Sequence, residues 1–511
     1  MPYSLTAYSV PGAYVTENTI GVIPAGLATH SAAYMLGYSN KSGAPKNKAT
    51  FVTSPDDFFN QFGTSASTNS VALFFNQRSG AGLWFINVEA KETRTVTVDA
   101  PLGVGEDYNL TLDGFTLTYE SVSGDTPTSI ATALVDLVNT QASHIVTAVL
   151  GSAGTLTLRF KTGLVTTGTS NLEISTVSAA PSYPTVTDVS EAMQAALEPD
   201  MPQGFICAPE FYQSWENQDD RIALQSAMES LVSDPGFYWI SVVDCGEDVA
   251  TQTTGAGAVN LSLAERNLMA SPKGHSAYYF PYWKDLKDNL VPMSASVIGV
   301  ALRRYRNEGF REPPAGTPYP VYGVKDVSFP VTSPVQGQLN PKGINCGRRL
   351  PAGRGLVVYG ARSLSTSPYY RFITTRVIMN VLAGSLRGAF DELIFSTVDG
   401  LGALFSRLKQ TATAILESMR LGGALYGATP DQAYLVICDQ TNNLAVDLES
   451  GKVNLDILAK PSPLMEVLAI NLFRASIGTV LAEVGATGDT NEIQEPEASN
   501  TQSGNSDPVA S

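Results

Sequence analysis

The stretch from residue 341 to residue 362 constrains this chain more than any other part of its sequence. Its glycines predict a loop, and the apolar run Leu356 to Tyr359 predicts a short buried strand. The stretch contains several arginines and no acidic residue, and a long helical pattern follows it. Such a loop is typical either of a surface that meets another chain or of an active site.

Length and charge exclude several classes of protein. With 511 residues, the chain can hold two to four domains with large cores. Its net charge of −16 argues against direct contact with nucleic acid, because phosphate groups require a basic surface. No apolar run reaches the roughly 18 residues of a membrane span. We therefore expect a soluble chain with no direct nucleic-acid or membrane contact.

The cysteines and the first residues indicate where the chain is made. Cys207, Cys245, Cys346 and Cys438 are scattered without CxxC spacing, which argues against a zinc site and against a disulfide framework. Residues 1–4 begin no basic or apolar region of a secretory signal. These features predict synthesis in a reducing cytoplasm.

The pattern of residues 31–90 predicts an α/β core. A buried strand at 33–37 precedes a helix with Ser54 as its cap and Pro55 in its first turn. A second helix at 71–77 leads into another buried strand at 83–88. Strand and helix patterns return between residues 205 and 243, so we expect the same core to resume there.

Residues 91–200 are rich in Thr, Ser, Val and Gly, and they predict a small inserted domain. Alternating residues at 108–112 and 115–119 flank Asp113-Gly114, the signature of a hairpin with a type I′ turn. A helix opening at Pro127 and a second hairpin over 145–160 complete a β-β-α-β-β module.

The C-terminal module shows the clearest helical periodicity. Apolar stripes run from Ile378 to Leu393 and from Leu401 to Met419, at the spacing of two amphipathic helices. We expect them to pack against a sheet formed by a strand at 433–438 and by a strand pair at 444–448 and 453–457.

The two ends of the chain differ from its body. Residues 1–30 are interrupted by Pro and Gly and are predicted to form an extended arm that cannot fold alone. Residues 465–475 alternate well enough for a strand, although Leu468 and Leu472 also fit a helix. The polar, acidic residues 485–511 are predicted to be disordered, because they cannot bury enough apolar surface.

Few residues could support catalysis. Of the three histidines, His30 lies in the arm and His144 in the insertion, whereas Asp244 and His275 follow the order of a hydrolase pair. No serine lies in a GxSxG sequence, no two histidines have metal-ligand spacing and no phosphate-binding loop occurs. We therefore predict a non-enzyme without cofactor or metal, and keep a hydrolase as a distant alternative.

The sequence LNPKGINCGRRLPAGRGLVVYGARSL, residues 339–364, resembles a segment of the sheath proteins of contractile tails, which occur in myophages and in related injection systems. PGAYVTEN near the N-terminus is similar to the opening of the same family. Met293-Ser294 departs from the Pro-Ser of the family pattern. The resemblance implies a multidomain α/β fold whose core contains a subtilisin-like portion.

The resemblance also implies an organisation and a function. The expected segments are an arm (1–30), core (31–90), outward-facing insertion (91–200), core (201–339), tube-proximal module (340–463), second arm (464–484) and acidic tail (485–511). Hexameric rings would stack helically around a tail tube and contract to drive that tube through a target envelope. The partners would be other copies, the tube, the baseplate and the terminator, in a tail assembled in a bacterial cytoplasm. The alternatives are the sheath of a phage-derived injection device and another structural tail component.

Two sets of residues are the candidates for contacts with these partners. By the resemblance, the arms would add strands to the sheet of a neighbouring subunit, although a sheet formed within one chain explains the alternation equally well. The candidates for strand exchange are Tyr14, Val15, Val446, Leu448, Val453, Leu455, Leu468, Ile470 and Leu472. The candidates for facing the tube are Arg348, Arg349, Arg354, Arg407, Lys409 and Arg420, for which an ordinary solvated surface remains the alternative.

Overall fold

The structure, a computed structural model, describes residues 27–101, 103–143, 146–160, 165–175, 183–351, 353 and 355–470. Residues up to Leu464 belong to one compact unit, and a second unit opens at Met465. The second unit is described only as far as Ile470, and these few residues contain no regular secondary structure. All helices and strands given below belong to the first unit.

The first part of the core has the predicted order of elements and one additional strand. The elements are β1 (Ala32–Gly37), β2 (Ala49–Val52), α1 (Pro55–Phe62), α2 (Thr68–Asn76) and β3 (Leu83–Asn87). Helix α1 starts as its sequence predicts, because the Ser54 hydroxyl accepts a hydrogen bond from the Asp57 backbone N–H at 3.0 Å. Its end is set by Gly63, whose φ of +72° is the left-handed conformation that glycine favours.

The next part contains the predicted hairpins within a larger arrangement. Its elements are β4 (Glu92–Val98), β5 (Asp107–Leu112), β6 (Phe115–Glu120), α3 (Pro127–Gln141), β7 (Val146–Leu150), β8 (Thr155–Phe160), β9 (Thr166–Gly168) and β10 (Leu172–Ile174). Both turn residues between β5 and β6, Asp113 and Gly114, have positive φ, as a type I′ turn requires. Strands β10-β4-β8-β7 form one sheet and β6-β5-β9 another, with their own apolar cluster around α3.

The remaining elements complete the core and the C-terminal module. The core continues with α4 (Val186–Ala196), β11 (Gly204–Cys207), α5 (Pro209–Ser214), α6 (Gln218–Ser233), β12 (Ile240–Asp244), α7 (Glu247–Ala250), α8 (Gly255–Leu268), β13 (Ser276–Phe280), β14 (Trp283–Asp285), β15 (Leu290–Val291), α9 (Ser294–Glu308), β16 (Val324–Val327) and α10 (Ser333–Leu339). The C-terminal module contains β17 (Ile344–Arg349), β18 (Leu356–Tyr359), α11 (Ile373–Phe390), α12 (Ala403–Leu421), α13 (Pro430–Ala433), β19 (Tyr434–Ile437), α14 (Ala445–Glu449) and β20 (Asp456–Ala459).

One eight-stranded sheet organises the core, in the order β18-β17-β13-β12-β11-β1-β3-β2. The six central strands are parallel, and the two edge strands are antiparallel to their neighbours. Side chains alternate between the faces of the sheet, so that Tyr34 and Leu36 of β1 join one apolar cluster and Ala33 and Met35 join another. Helices cover both faces, which is the arrangement that buries a parallel sheet.

Two predictions about the helices differ from the structure. Helix α4 lies in the stretch assigned to the insertion, but its Val189, Ala192 and Met193 pack in the same cluster as the main sheet. The second prediction is the stripe from Leu401 to Met419, which starts two residues before α12 and is buried only in its later part. Leu401 is almost fully exposed, whereas Ile415 and Met419 are buried against α11. Periodicity gives the apolar face of a helix but not the length of the surface that covers it.

Candidate assembly surface

The candidate hydrolase pair does not come together. Strands β12 and β13 are parallel, with Asp244 opposite Tyr279 at their carboxyl ends. His275 precedes β13 at the opposite end, so roughly 13 Å of strand separates it from Asp244, at about 3.3 Å per residue. Its Nδ1 lies 3.0 Å from the carbonyl oxygen of Trp239. These two residues cannot form the acid and base of a triad.

Burial sets the protonation of these groups. Burial raises the pKa of the Asp244 carboxyl to about 7, although the Ser294 backbone N–H donates to it at 2.8 Å. Burial lowers the pKa of His275 to about 4 and that of His30 to about 3, so both histidines are neutral near pH 7. Asp244, His275 and His30 are all buried in the core, and this position indicates a structural role.

The most distinctive surface lies in the C-terminal module, where β19 and β20 form a two-stranded antiparallel sheet. Among the described residues, each of these strands pairs only with the other, so both outer edges of the sheet lack a neighbouring strand. An isolated two-stranded sheet is marginally stable in water, and an unpaired edge is a template for another strand. We call β19 and β20 together the open-edge sheet.

The two faces of the open-edge sheet differ. On the inner face, Val436 is buried and Ile457 packs against the cluster formed with α11 and α12. On the outer face, Leu435 and Leu458 lie directly opposite each other, with 53% and 57% of their surface exposed. Such paired apolar exposure at an unpaired sheet marks a surface that another chain could cover.

Helix α12 supports the open-edge sheet through a charged side chain. Arg420 donates to both carboxylate oxygens of Glu417, at 2.8 and 2.6 Å, and the Tyr434 hydroxyl donates to the same carboxylate at 3.1 Å. These bonds hold the pKa of Glu417 below its usual value. Arg420, a candidate for contact with the tube, thus holds the carboxylate of Glu417, and it is Glu417 that connects α12 to Tyr434 of β19.

The connection between β19 and β20 corrects the predicted strand pair. Residues 445–449 form helix α14, because the backbone N–H of Leu448 bonds to the carbonyl oxygen of Leu444 at 3.1 Å. Strand β20 starts only at Asp456, so Val453 and Leu455 precede it, and Val446 and Leu448 lie on the helix. A five-residue alternation fits one helical turn as well as a strand, and only the tertiary contacts distinguish them.

An asparagine network holds this connection, and sequence reasoning did not identify it. The Asn443 side chain donates to the carbonyl oxygen of Asn454 at 2.9 Å and accepts from its N–H at 2.6 Å. The Asn442 side chain donates to the carbonyl oxygen of Ile437 at the end of β19, at 3.0 Å. The network fixes where β20 begins. The sequence signal for this network was the presence of asparagines before and after the loop predicted between the two strands of the pair.

The remaining basic candidates fall into two groups. Arg348 donates to the side chain of Gln336 and to the carbonyl oxygen of Val331, and Arg349 lies 3.3 Å from the carboxylate of Asp326. Arg407 and Lys409, by contrast, are exposed on α12 and form no ion pair within the described part of the chain. Of the described candidates, Arg348, Arg349 and Arg420 are engaged within their own chain, whereas Arg407 and Lys409 are exposed.

Comparison with solved structures identifies the fold. The PVC sheath complex of an extracellular contractile injection system, in the contracted state, superposes with a TM-score of 0.56 at 15% identity, over 92% of this chain and 98% of that chain. The contracted helical sheath of the anti-feeding prophage also gives a TM-score of 0.56, at 16% identity, over 92% of this chain and 100% of that one. The chain has the fold of contractile sheath proteins. No protein-family profile and no curated protein matches the chain.

This sheath fold confirms the predicted resemblance and the α/β class. A chain from the six-fold symmetrised baseplate of the anti-feeding prophage has the same fold, with a TM-score of 0.54 at 16% identity, over 92% of this chain and all of that one. Among the described residues, no helix is long and apolar enough to cross a membrane, and no cluster of metal-binding side chains occurs. The four cysteines are buried free thiols.

Several predicted residues lie outside the described residues. These are Tyr14, Val15, His144, Arg354 and Leu472. Leu468 and Ile470 are described, and their side chains are exposed. The described half of the predicted strand at 465–475 is not assigned to any strand.

Proposed function

We propose that this protein is the sheath subunit of a contractile injection system or phage tail. The observation that carries the proposal is the open-edge sheet, whose two outer edges have no partner strand among the described residues, in a chain with a sheath fold. Subunits would assemble into hexameric rings stacked helically around a tail tube. Contraction of this polymer would drive the tube through a target envelope. The protein would act mechanically, without catalysis or cofactor.

The contacts between subunits would be made by strand addition. The segments around Tyr14 and Val15, and around Leu468, Ile470 and Leu472, would supply strands to the open-edge sheet of neighbouring copies. The helix carrying Val446 and Leu448, and the residues Val453 and Leu455 before β20, would border that sheet and contact the added strands. Each main-chain hydrogen bond gained contributes about 0.5–1.5 kcal/mol net, so several bonds would hold subunits together while their bodies rotate.

The remaining partners follow from this arrangement. Head-to-tail contacts that do not close into a ring produce a helical polymer. A small free-energy difference per subunit, summed over many copies, would drive contraction once the baseplate releases a kinetically trapped extended state. Arg407 and Lys409, which are exposed, would meet an acidic tube, together with Arg354. Arg348, Arg349 and Arg420 would join them only if they released their partners within the chain. The segment 340–463 would then face the tube, and the segment 91–200 would face outward. A terminator would cap the polymer.

Electron microscopy of the purified chain tests the proposal. We expect striated hollow cylinders from the intact chain, and folded but unassembled particles after deletion of residues 1–17. Cylinders of normal length from the truncated chain would refute the role of the N-terminal arm. Small, discrete particles from the intact chain under all assembly conditions would refute the sheath proposal itself. Release of a genome by the complete particle, when it is triggered, would distinguish a phage tail from an injection device.

A further inference from the structure

A cleft of about 860 Å³ is lined in part by residues at both ends of the stretch 341–362. Its walls come from the end of α8, from the turn before β17 and from the segment between β18 and α11. Four cations line it, namely Arg266, Lys342, Arg362 and Arg371, and no acidic residue occurs among its described lining residues. We call it the basic cleft. Arg266, Lys342 and Arg371 by themselves give this cleft a positive charge in a chain whose net charge is −16.

Arg266 forms the floor of the basic cleft. Its guanidinium donates to three carbonyl oxygens, those of Lys342 at 2.8 Å, Met269 at 3.1 Å and Leu364 at 2.8 Å. Arg266 is buried, and its hydrogen-bond partners among the described residues are these three carbonyl oxygens and no carboxylate. Carbonyl oxygens satisfy its hydrogen bonds but leave its charge uncompensated. A nearby anion would therefore stabilise the buried Arg266 guanidinium more than it would stabilise an exposed guanidinium.

Lys342 and Arg371 are the cations that a ligand can reach. Both side chains are exposed at the cleft, and within the described residues neither makes an ion pair or a side-chain hydrogen bond. Ser271, in the same wall, already donates to the buried carboxylate of Glu229 at 2.9 Å. That carboxylate is thus engaged with the core. An ammonium and a guanidinium that line the same cleft suit a ligand that carries several carboxylates.

The chain itself contains a ligand of this kind. After Arg474 it has no Lys or Arg, and the segment from Glu483 to Glu497 carries five acidic residues. This segment lies in residues 471–511, beyond the described part of the chain. We propose that the basic cleft binds the acidic segment Glu483 to Glu497 of a second copy. This contact rests on the proposed polymer and adds a charged link between copies to strand addition.

Peptide binding tests the chemistry of the basic cleft. The probe is a fluorescent peptide of residues 483–497, and the receptor is the full chain with its own acids at 483, 489, 492, 495 and 497 changed to amides. We expect saturable binding that weakens about a hundredfold with Lys342→Glu and Arg371→Glu, since each charge-assisted bond contributes about tenfold or more. Added salt should weaken it further. Absence of binding to the receptor with an intact cleft would overturn the proposal.

Matched controls separate a specific site from general attraction. Lys48→Glu with Lys287→Glu changes the net charge equally and lies outside the cleft lining, so we expect it to leave the affinity within about twofold. Equal losses from both double variants would refute the site. A peptide with Gln and Asn in place of its acids should not bind, and binding as tight as that of the acidic peptide would also refute it.

Cross-linking distinguishes a second copy from the same copy. In a mixture of isotopically light and heavy intact chains, a carbodiimide joins the Lys342 amine to a carboxylate with loss of water. We expect light-to-heavy links between Lys342 and the acidic segment, and links within single chains only would overturn the inter-copy contact. Cylinder formation is scored separately on the same samples. Peptide binding by a chain that never forms cylinders would refute the sheath proposal alone, whereas cylinders without peptide binding would refute only the cleft.

Discussion

Replacing Leu435 and Leu458 by lysine should block assembly while leaving the subunit folded. The two side chains face each other on the outer face of the open-edge sheet, with about half of each still exposed. Burying a whole leucine contributes about 1.5–3 kcal/mol, so the exposed halves leave about 1 kcal/mol each for a partner to bury. The pair therefore accounts for about 2 kcal/mol per contact. That loss corresponds to about a 30-fold weaker association.

Lysine adds an obstacle to this loss, because charged side chains on an edge strand oppose the addition of another strand. Sedimentation velocity over a concentration series would measure the threshold for polymer formation, and electron microscopy would count cylinders. We expect the threshold of the double variant to rise at least 30-fold. Thermal unfolding should change by only about 1 kcal/mol, because both positions are largely exposed.

A matched control keeps this experiment decisive. Val104→Lys with Val149→Lys introduces the same charge at two exposed apolar positions outside the open-edge sheet. We expect this variant to assemble at the threshold of the unmodified chain. If Leu435→Lys with Leu458→Lys also assembles at that threshold, the open-edge sheet is not the receiving surface and the argument from its exposed edges is wrong.

Three further predictions concern the core. Burial raises the pKa of Asp244 from 3.8 to about 7, so its contribution to stability is complete below about pH 4 and is lost as the pH rises through 7, by at most about 4 kcal/mol. Asp244→Asn should remove this pH dependence of the free energy of unfolding, measured in urea from pH 4 to 8. The same pH dependence in the variant and the unmodified chain would contradict this prediction. Glu265→Gln should cost about 3 kcal/mol in the same assay, since Glu265 accepts from Arg221 at 2.8 Å in the buried core, and a cost below 1 kcal/mol would exclude a contribution from this pair. Gly37→Ala should lower the free energy of unfolding by about 1–3 kcal/mol, because a Cβ atom at residue 37 would overlap the Ser67 hydroxyl oxygen. An unchanged melting temperature would show that this contact relaxes.

Local signals in the sequence predicted many individual elements. Ser54 and Pro55 fixed the start of α1, and Asp113-Gly114 fixed the turn between β5 and β6, because capping bonds and positive φ depend on only a few adjacent residues. The apolar runs of β1, β3 and β18 were recognised as buried strands for a similar reason. The motif at 339–364 pointed to the sheath fold that the solved structures share.

Other features depended on contacts between distant residues and could not be read from local patterns. The residues 444–448 alternate like a strand but form α14, and α4 packs on the main sheet although its sequence adjoins the predicted insertion. Parallel pairing of β12 with β13 placed Asp244 and His275 at opposite ends.

The sequence by itself determined the α/β class, many of the helix and strand positions and the acidic character of the chain, because composition and short-range patterns encode these properties. The tertiary structure alone decided which sheet edges lack a partner among the described residues and which cations line one cleft. The basic cleft joins Arg266, Lys342 and Arg371 from three separate segments, and the open-edge sheet leaves Leu435 and Leu458 uncovered. Both depend on long-range packing, which brings together residues that no local pattern connects.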